Sequence, residues 1–166
     1  MHRPLPMPVA LAAFIILGLP ITATGQTAPG TQVGSSATYR PGLGDLMTMT
    51  VQPRHTKLGL AGREKNWAYA AYELHELEEA FDRAAHAWPQ WRSLPIADVM
   101  TSITKDPMAS LSQAIKANDA NKFTVAYKQL TDGCNACHQA AGRGVIAIQV
   151  PETSPFSDQH FQPTKP

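Results

Sequence analysis

Between residues 43 and 141 the apolar positions recur at intervals of three and four, which is the signature of amphipathic helices. Leu43, Met47, Val51, His55 and Leu58 form one such row, with Leu46 and Ala61 beside it. This predicts a first helix over about 44–62, kinked at Pro53, because proline has no N–H for the helical ladder. A second helix is predicted over 65–88. Trp67, Ala71, Leu74, Glu78, Phe81, Ala85 and Trp88 fall on a 4-3-4-3 row widened by Ala70 and Leu77. Glu73, Glu76, Glu79, Asp82 and Arg83 then clothe its solvated side, and Pro89 ends it. Ile96, Val99, Met100 and Ile103 begin a third helical row, which Met108, Leu111 and Ile115 continue. Asp106-Pro107 reads as a cap with proline at the first helical position, so this stretch is expected as one broken helix or two short ones. After a turn at Ala117-Asn118-Asp119, Phe123, Tyr127, Leu130, Cys134, Cys137 and Ala141 define a last helix over 120–141. Helices joined by short turns pack as antiparallel neighbours. The expected fold is all-α, an antiparallel four-helix bundle over 43–141.

Beyond the bundle the pattern changes. Val145 to Val150 is a β-branched, extended run, and Pro151 and Pro155 keep the chain open. Phe156 and Phe161 are apolar anchors in a polar surround, so 142–166 is expected to be an extended tail packing on the bundle. At the other end, His2 and Arg3 precede an apolar run from Val9 to Leu19 and small residues at Thr22 to Gly25. This reads as a signal peptide over 1–25, too short to span a bilayer, and implies a periplasmic protein with no membrane span in the mature chain. Residues 26–42, rich in Gly, Ser, Thr and Pro, read as a flexible linker. A net charge of +1 argues against a nucleic-acid partner.

The two cysteines of the chain lie together in Cys134-Asn135-Ala136-Cys137-His138. C-x-x-C-H is the pattern of covalent c-type haem attachment: each thiol adds across one vinyl group and the histidine offers its imidazole to the iron. Other readings fit less well. A thioredoxin-like C-x-x-C uses a helix N-terminus to lower a thiol pKa, and this one sits near a helix C-terminus. Structural zinc needs a fourth ligand at finger-like spacing. A disulfide leaves His138 without a role. On a helix Cys134, Cys137 and His138 are i, i+3 and i+4, so all three share the inward face. Gly133, just before them, fits either close approach of a cofactor or a tolerated surface position. A di-iron bundle is excluded, since no Glu has a His three residues later. HExxH, G-x-S-x-G and P-loop patterns are also missing.

With the pentad at the end of the last of four helices, the chain resembles the class II c-type cytochromes, the cytochrome c′ group. The resemblance covers about 43–141. It implies one covalently attached haem c, held by Cys134 and Cys137 with His138 as proximal ligand, and a possible homodimer. The segment Arg54-His55-Thr56-Lys57-Leu58 with Asn66-Trp67 is also similar to a set of uncharacterised exported monohaem proteins, which implies no particular activity. The chain departs from the class II pattern by continuing to Pro166 and by offering no alignable distal residue.

The sixth iron position therefore stays open between His55, Met47 and no protein ligand. Met47 and His55 lie two turns apart, about 12 Å, and cannot both bind. Met47 can equally be a core filler and His55 a structural histidine. Arg143 can pair with a haem propionate or stand solvated at a helix end. His75 and His86 are expected in solvent, and His160 in the tail is a remote ligand candidate. The expected function is a one-electron carrier serving redox partner proteins, not an enzyme. The alternative is a five-coordinate haem protein binding NO or CO; a peroxidase-like activity has only His55 to offer.

Overall fold

The computed structural model describes residues 39–164. The signal peptide expected over 1–25 and all but the last residues of the expected linker lie outside the described residues. The protein is all-α, with four helices and no β-strand among the described residues. Helix α1 is a continuous run of three segments: Leu43–Leu46, a π-helical turn Met47–Val51, and Gln52–Arg63. Helix α2 is Trp67–Ala87, α3 is Ile96–Lys116 and α4 is Ala120–Ala140. Asn66 caps α2 by accepting from the Tyr69 N–H, and Asp119 caps α4 by accepting from the Lys122 N–H.

The kink expected at Pro53 is instead a wide turn just before it. The Gln52 N–H bonds back to the carbonyl of Met47, five residues away. Thr48 and Thr50 donate their hydroxyls to the carbonyls of Gly44 and Leu46 within the same stretch. A proline ring clashes with the carbonyl four residues before it, and a wide turn gives that carbonyl room. Positions four apart drift by about 40° per step on a regular α-helix. The wide turn absorbs part of this drift, so Leu43, Met47, Val51 and His55 all line one cleft.

Helix α3 is unbroken, against the expected division at Asp106-Pro107. Pro107 cannot bond the carbonyl of Ile103, and that oxygen faces α4 at Gly133. A Cβ built on Gly133 would lie 3.1 Å from it. Packing between the two helices therefore explains this glycine, with the bare Cα accommodating a carbonyl that lacks its helical donor.

The buried stripe of α2 is Ala70, Glu73, Leu74, Leu77, Ala80 and Ala84. It is rotated from the predicted row, for Ala71 and Glu78 are exposed. Glu73, assigned to the solvated side, is 1% exposed. Arg54 of α1 makes this possible by reaching Glu73 Oε2 at 3.2 Å and Glu76 Oε2 at 3.1 Å. A buried carboxylate without a cation would be expelled to water or protonated.

The core falls into two clusters. The larger contains Leu58, Leu77, Leu111 and Leu130, all fully buried. The smaller holds Leu46, Ala84, Ile96, Met100 and Cys137, and Met47 and Phe81 pack against both. The tail lies on the helices. Phe161 is buried in the larger cluster, Arg63 donates to the carbonyl of Glu152, and Asn66 donates to the carbonyl of Gln162. No helix among the described residues is long and apolar enough to cross a membrane.

Candidate cofactor cleft

Beside the smaller core cluster a cleft of about 300 Å³ opens between α1, α3 and α4, within the size range of ligand sites, roughly 300–1,000 Å³. Its floor on α4 is Cys134, Cys137, His138 and Ala141. The α1 wall is Leu43, Met47, Val51 and His55, and the α3 wall is Ile96, Met100 and Ile103. Arg143, Ile146 and Ile148 of the tail close one side, while Phe81 and Trp91 complete the rim. Cys134, Cys137, His138, Arg143, Met47 and His55, named from the sequence as cofactor or iron contacts, all line one cleft, whereas His160, the remote ligand candidate, does not.

The cysteines are not bridged. Burial, with Cys137 alongside, raises the Cys134 thiol to about 11, and burial also raises that of Cys137. Both are protonated at neutral pH, the reverse of a redox-active C-x-x-C. Among the described residues no group of three or more His, Cys, Asp and Glu side chains could hold a metal ion.

His138 has a defined tautomer. Its Nδ1 lies 2.8 Å from the carbonyl oxygen of Ile146. A carbonyl only accepts, so Nδ1 carries the proton and the Nε2 of the neutral ring is bare. The chain reaches this position through a tight helix end. Gly142 adopts φ +66° and donates its N–H to Gln139, while the Arg143 N–H bonds to His138. Left-handed backbone of this kind favours glycine, and the two bonds satisfy the last carbonyls of α4.

His55 is placed differently. It is 4% exposed, with Nε2 3.0 Å from Thr131 Oγ1 and Nδ1 3.1 Å from the Tyr127 hydroxyl. Thr131 gives its own proton to the Tyr127 carbonyl, so it accepts from Nε2–H. The Tyr127 hydroxyl donates toward Nδ1 and the His55 carbonyl, the latter at 2.7 Å. Both ring nitrogens are occupied within a closed polar loop. Burial lowers the His55 pKa to about 4, so the ring is neutral at pH 7.

Met47 lines the cleft with a partly buried side chain. Arg143 stands over the Trp91 ring at 5.9 Å and makes no ion pair among the described residues. His75 is exposed and pairs with Glu79; His86 and His160 are exposed and away from the cleft. Sequence reasoning did not assign Met100, Phe81 and Trp91 to the site. The helical row containing Met100 was legible, but which end of the core it would reach was not. Asn135 was also missed, because its partners are backbone atoms of the tail.

The chain has no significant match among protein-family models, curated proteins or solved structures.

Proposed function

We propose that this protein is an exported monohaem c-type cytochrome that carries single electrons between redox partner proteins. The observation that carries the reading is that Cys134, Cys137 and His138 open onto one apolar cleft. The donor chemistry suits the group. Two unbridged thiols are available for thioether bonds, and an imidazole presents a bare Nε2. That these three side chains could not hold an ion together also fits, since thioethers attach at the edge of a macrocycle and only the imidazole addresses its metal. Haem bound here would supply a one-electron Fe(III)/Fe(II) couple. The fold in this reading is an antiparallel four-helix bundle, because the connections from α1 to α2 and from α3 to α4 are too short for anything but a reversal of direction.

The residues of the chain divide the remaining work. Leu43, Val51, Ile96 and Ile103 exclude water from the cleft. Arg143, unpaired at the rim, is placed to meet a propionate. On the α1 wall His55 is withdrawn as a ligand, since coordination through Nε2 would strip Thr131 of its donor. Met47, which lines the same wall, would remain to hold the group together with His138, and its thioether would supply a raised reduction potential. A second reading rests on the apolar character of the same wall: with Met47 as a core filler the sixth position is open to NO or CO.

Mass and visible spectra of the full-length exported protein test the assignment. The expected result is one covalently attached haem, abolished when Cys134 and Cys137 are both replaced by Ala. A colourless wild-type chain with the mass of bare polypeptide ends it. In the reduced protein, indifference to CO supports the carrier, with Met47→Ala converting it to a CO-binding form. Rapid CO binding by the wild type favours the second reading.

A further inference from the structure

Asn135 occupies a variable position of the pentad, yet its side chain is fully engaged. Nδ2 donates to the carbonyl of Ile148 at 2.9 Å, and Oδ1 accepts from the Ile148 N–H at 2.7 Å. The amide thus pairs with the tail as a neighbouring strand would. Two residues earlier along the same extended segment, the Ile146 carbonyl receives the His138 Nδ1 proton. The Ile146 N–H in turn donates to the carbonyl of Arg143 at 2.9 Å, just past the end of α4. The acceptor facing the imidazole is therefore held from both sides, by the helix terminus before it and by Asn135 after it. Asn135 and His138 are three apart on α4, which lets one tail segment, Ile146 to Ile148, cross both.

We propose, on the reading of the cleft as a haem site, that Asn135 is a positioning residue: it clamps the tail so that the Ile146 carbonyl fixes the tautomer and orientation of His138. An acceptor on Nδ1–H pushes electron density toward Nε2, raises ligand basicity and favours the ferric state. The extension beyond α4 is in this sense part of the coordination sphere of the imidazole. Releasing it raises the reduction potential.

The test uses full-length, haem-loaded protein and two variants. Asn135→Leu keeps the bulk and loses both bonds. Asn135→Asp keeps the acceptor for the Ile148 N–H. The readouts are the midpoint potential and, in ¹⁵N-labelled reduced protein, the exchange of the His138 Nδ1 proton with water. Asn135→Leu is expected to raise the potential by the equivalent of roughly a tenfold change in the ferric/ferrous ratio, about 59 mV for a one-electron couple. Its Nδ1 proton exchange should accelerate by a similar factor. Asn135→Asp should show no rise in potential and slow exchange. An Asn135→Leu protein unchanged in both readouts, or the two variants moving alike, overturns the clamp. If Asn135→Leu fails to mature, the wild type decides: a His138 proton exchanging as fast as that of exposed His75 overturns the proposal, and a protected one supports it. A wild-type chain without covalent haem overturns the proposed function instead, and the same exchange measurement on that chain still decides the clamp.

Discussion

The two cleft-lining histidines of this protein differ in one respect that separates structure from chemistry. At His55 both ring nitrogens end in protein hydroxyls, and the ring closes a loop with Tyr127 and Thr131 deep among fully buried leucines. At His138 one nitrogen is tied to a backbone carbonyl, and the residue lines the cleft. The first arrangement gives both nitrogens protein partners. The second leaves one ring nitrogen without a hydrogen-bond partner among the described residues. A histidine becomes a ligand through what is withheld from its second nitrogen, and residue identity alone does not disclose that.

This contrast can be tested, beginning where the effect should be largest. Leu130 is fully buried beside the His55 loop, and Leu130→Ala should cost about 2–5 kcal/mol in urea unfolding. Ile148→Ala, in the half-exposed tail, should cost under about 1 kcal/mol. Equal losses would erase the distinction between a closed and an open end. The next effect is acid sensitivity. The His55 pKa is lowered to about 4 in the folded protein, against about 6.5 unfolded, so between these values only the unfolded chain takes up the proton. Stability is unaffected above pH 6.5 and falls toward pH 4, by about 3 kcal/mol for this group. His55→Gln should remove that portion of the slope in urea midpoints measured across the range. Tyr127→Phe leaves His55 Nδ1 and its carbonyl without their donor and should cost about 1–3 kcal/mol. A further modest change is Gly142→Ala, where the left-handed backbone penalises a Cβ by about 1–2 kcal/mol at most, read as a small shift in thermal midpoint. A larger loss there would mean that the tail and the helix end unfold together with the core.

Much of this organisation was legible in the sequence. Periodicity of 3.6 residues located the four helices and put Cys134, Cys137 and His138 on one inward side, because three and four residues return to the same face. Three features escaped for one shared reason: each depends on a partner remote in the chain. Glu73 read as a surface carboxylate because its cation, Arg54, lies 19 residues earlier. Pro107 read as a helix start because the glycine that receives its neighbour's carbonyl sits on another helix. The hydroxyl partners of His55 were not legible because Thr131 and Tyr127 are more than 70 residues away. The tail's apolar anchors were visible in composition, but its bonds to Asn135 and His138 run through backbone atoms, which carry no residue-specific signal.

The meeting of Pro107's helix with Gly133 has a consequence for the pentad. One residue along α4 in either direction there is a side chain, Asp132 or Cys134, whereas a Cβ at Gly133 would already crowd the Ile103 carbonyl at 3.1 Å. Sliding α4 by a single step would drive Cys134 into that oxygen and swivel the thiol out of the cleft. Proline and glycine together act as a steric key that favours one phase of α4, so the direction in which the two sulfurs point is influenced from the Ile103 side of that helix.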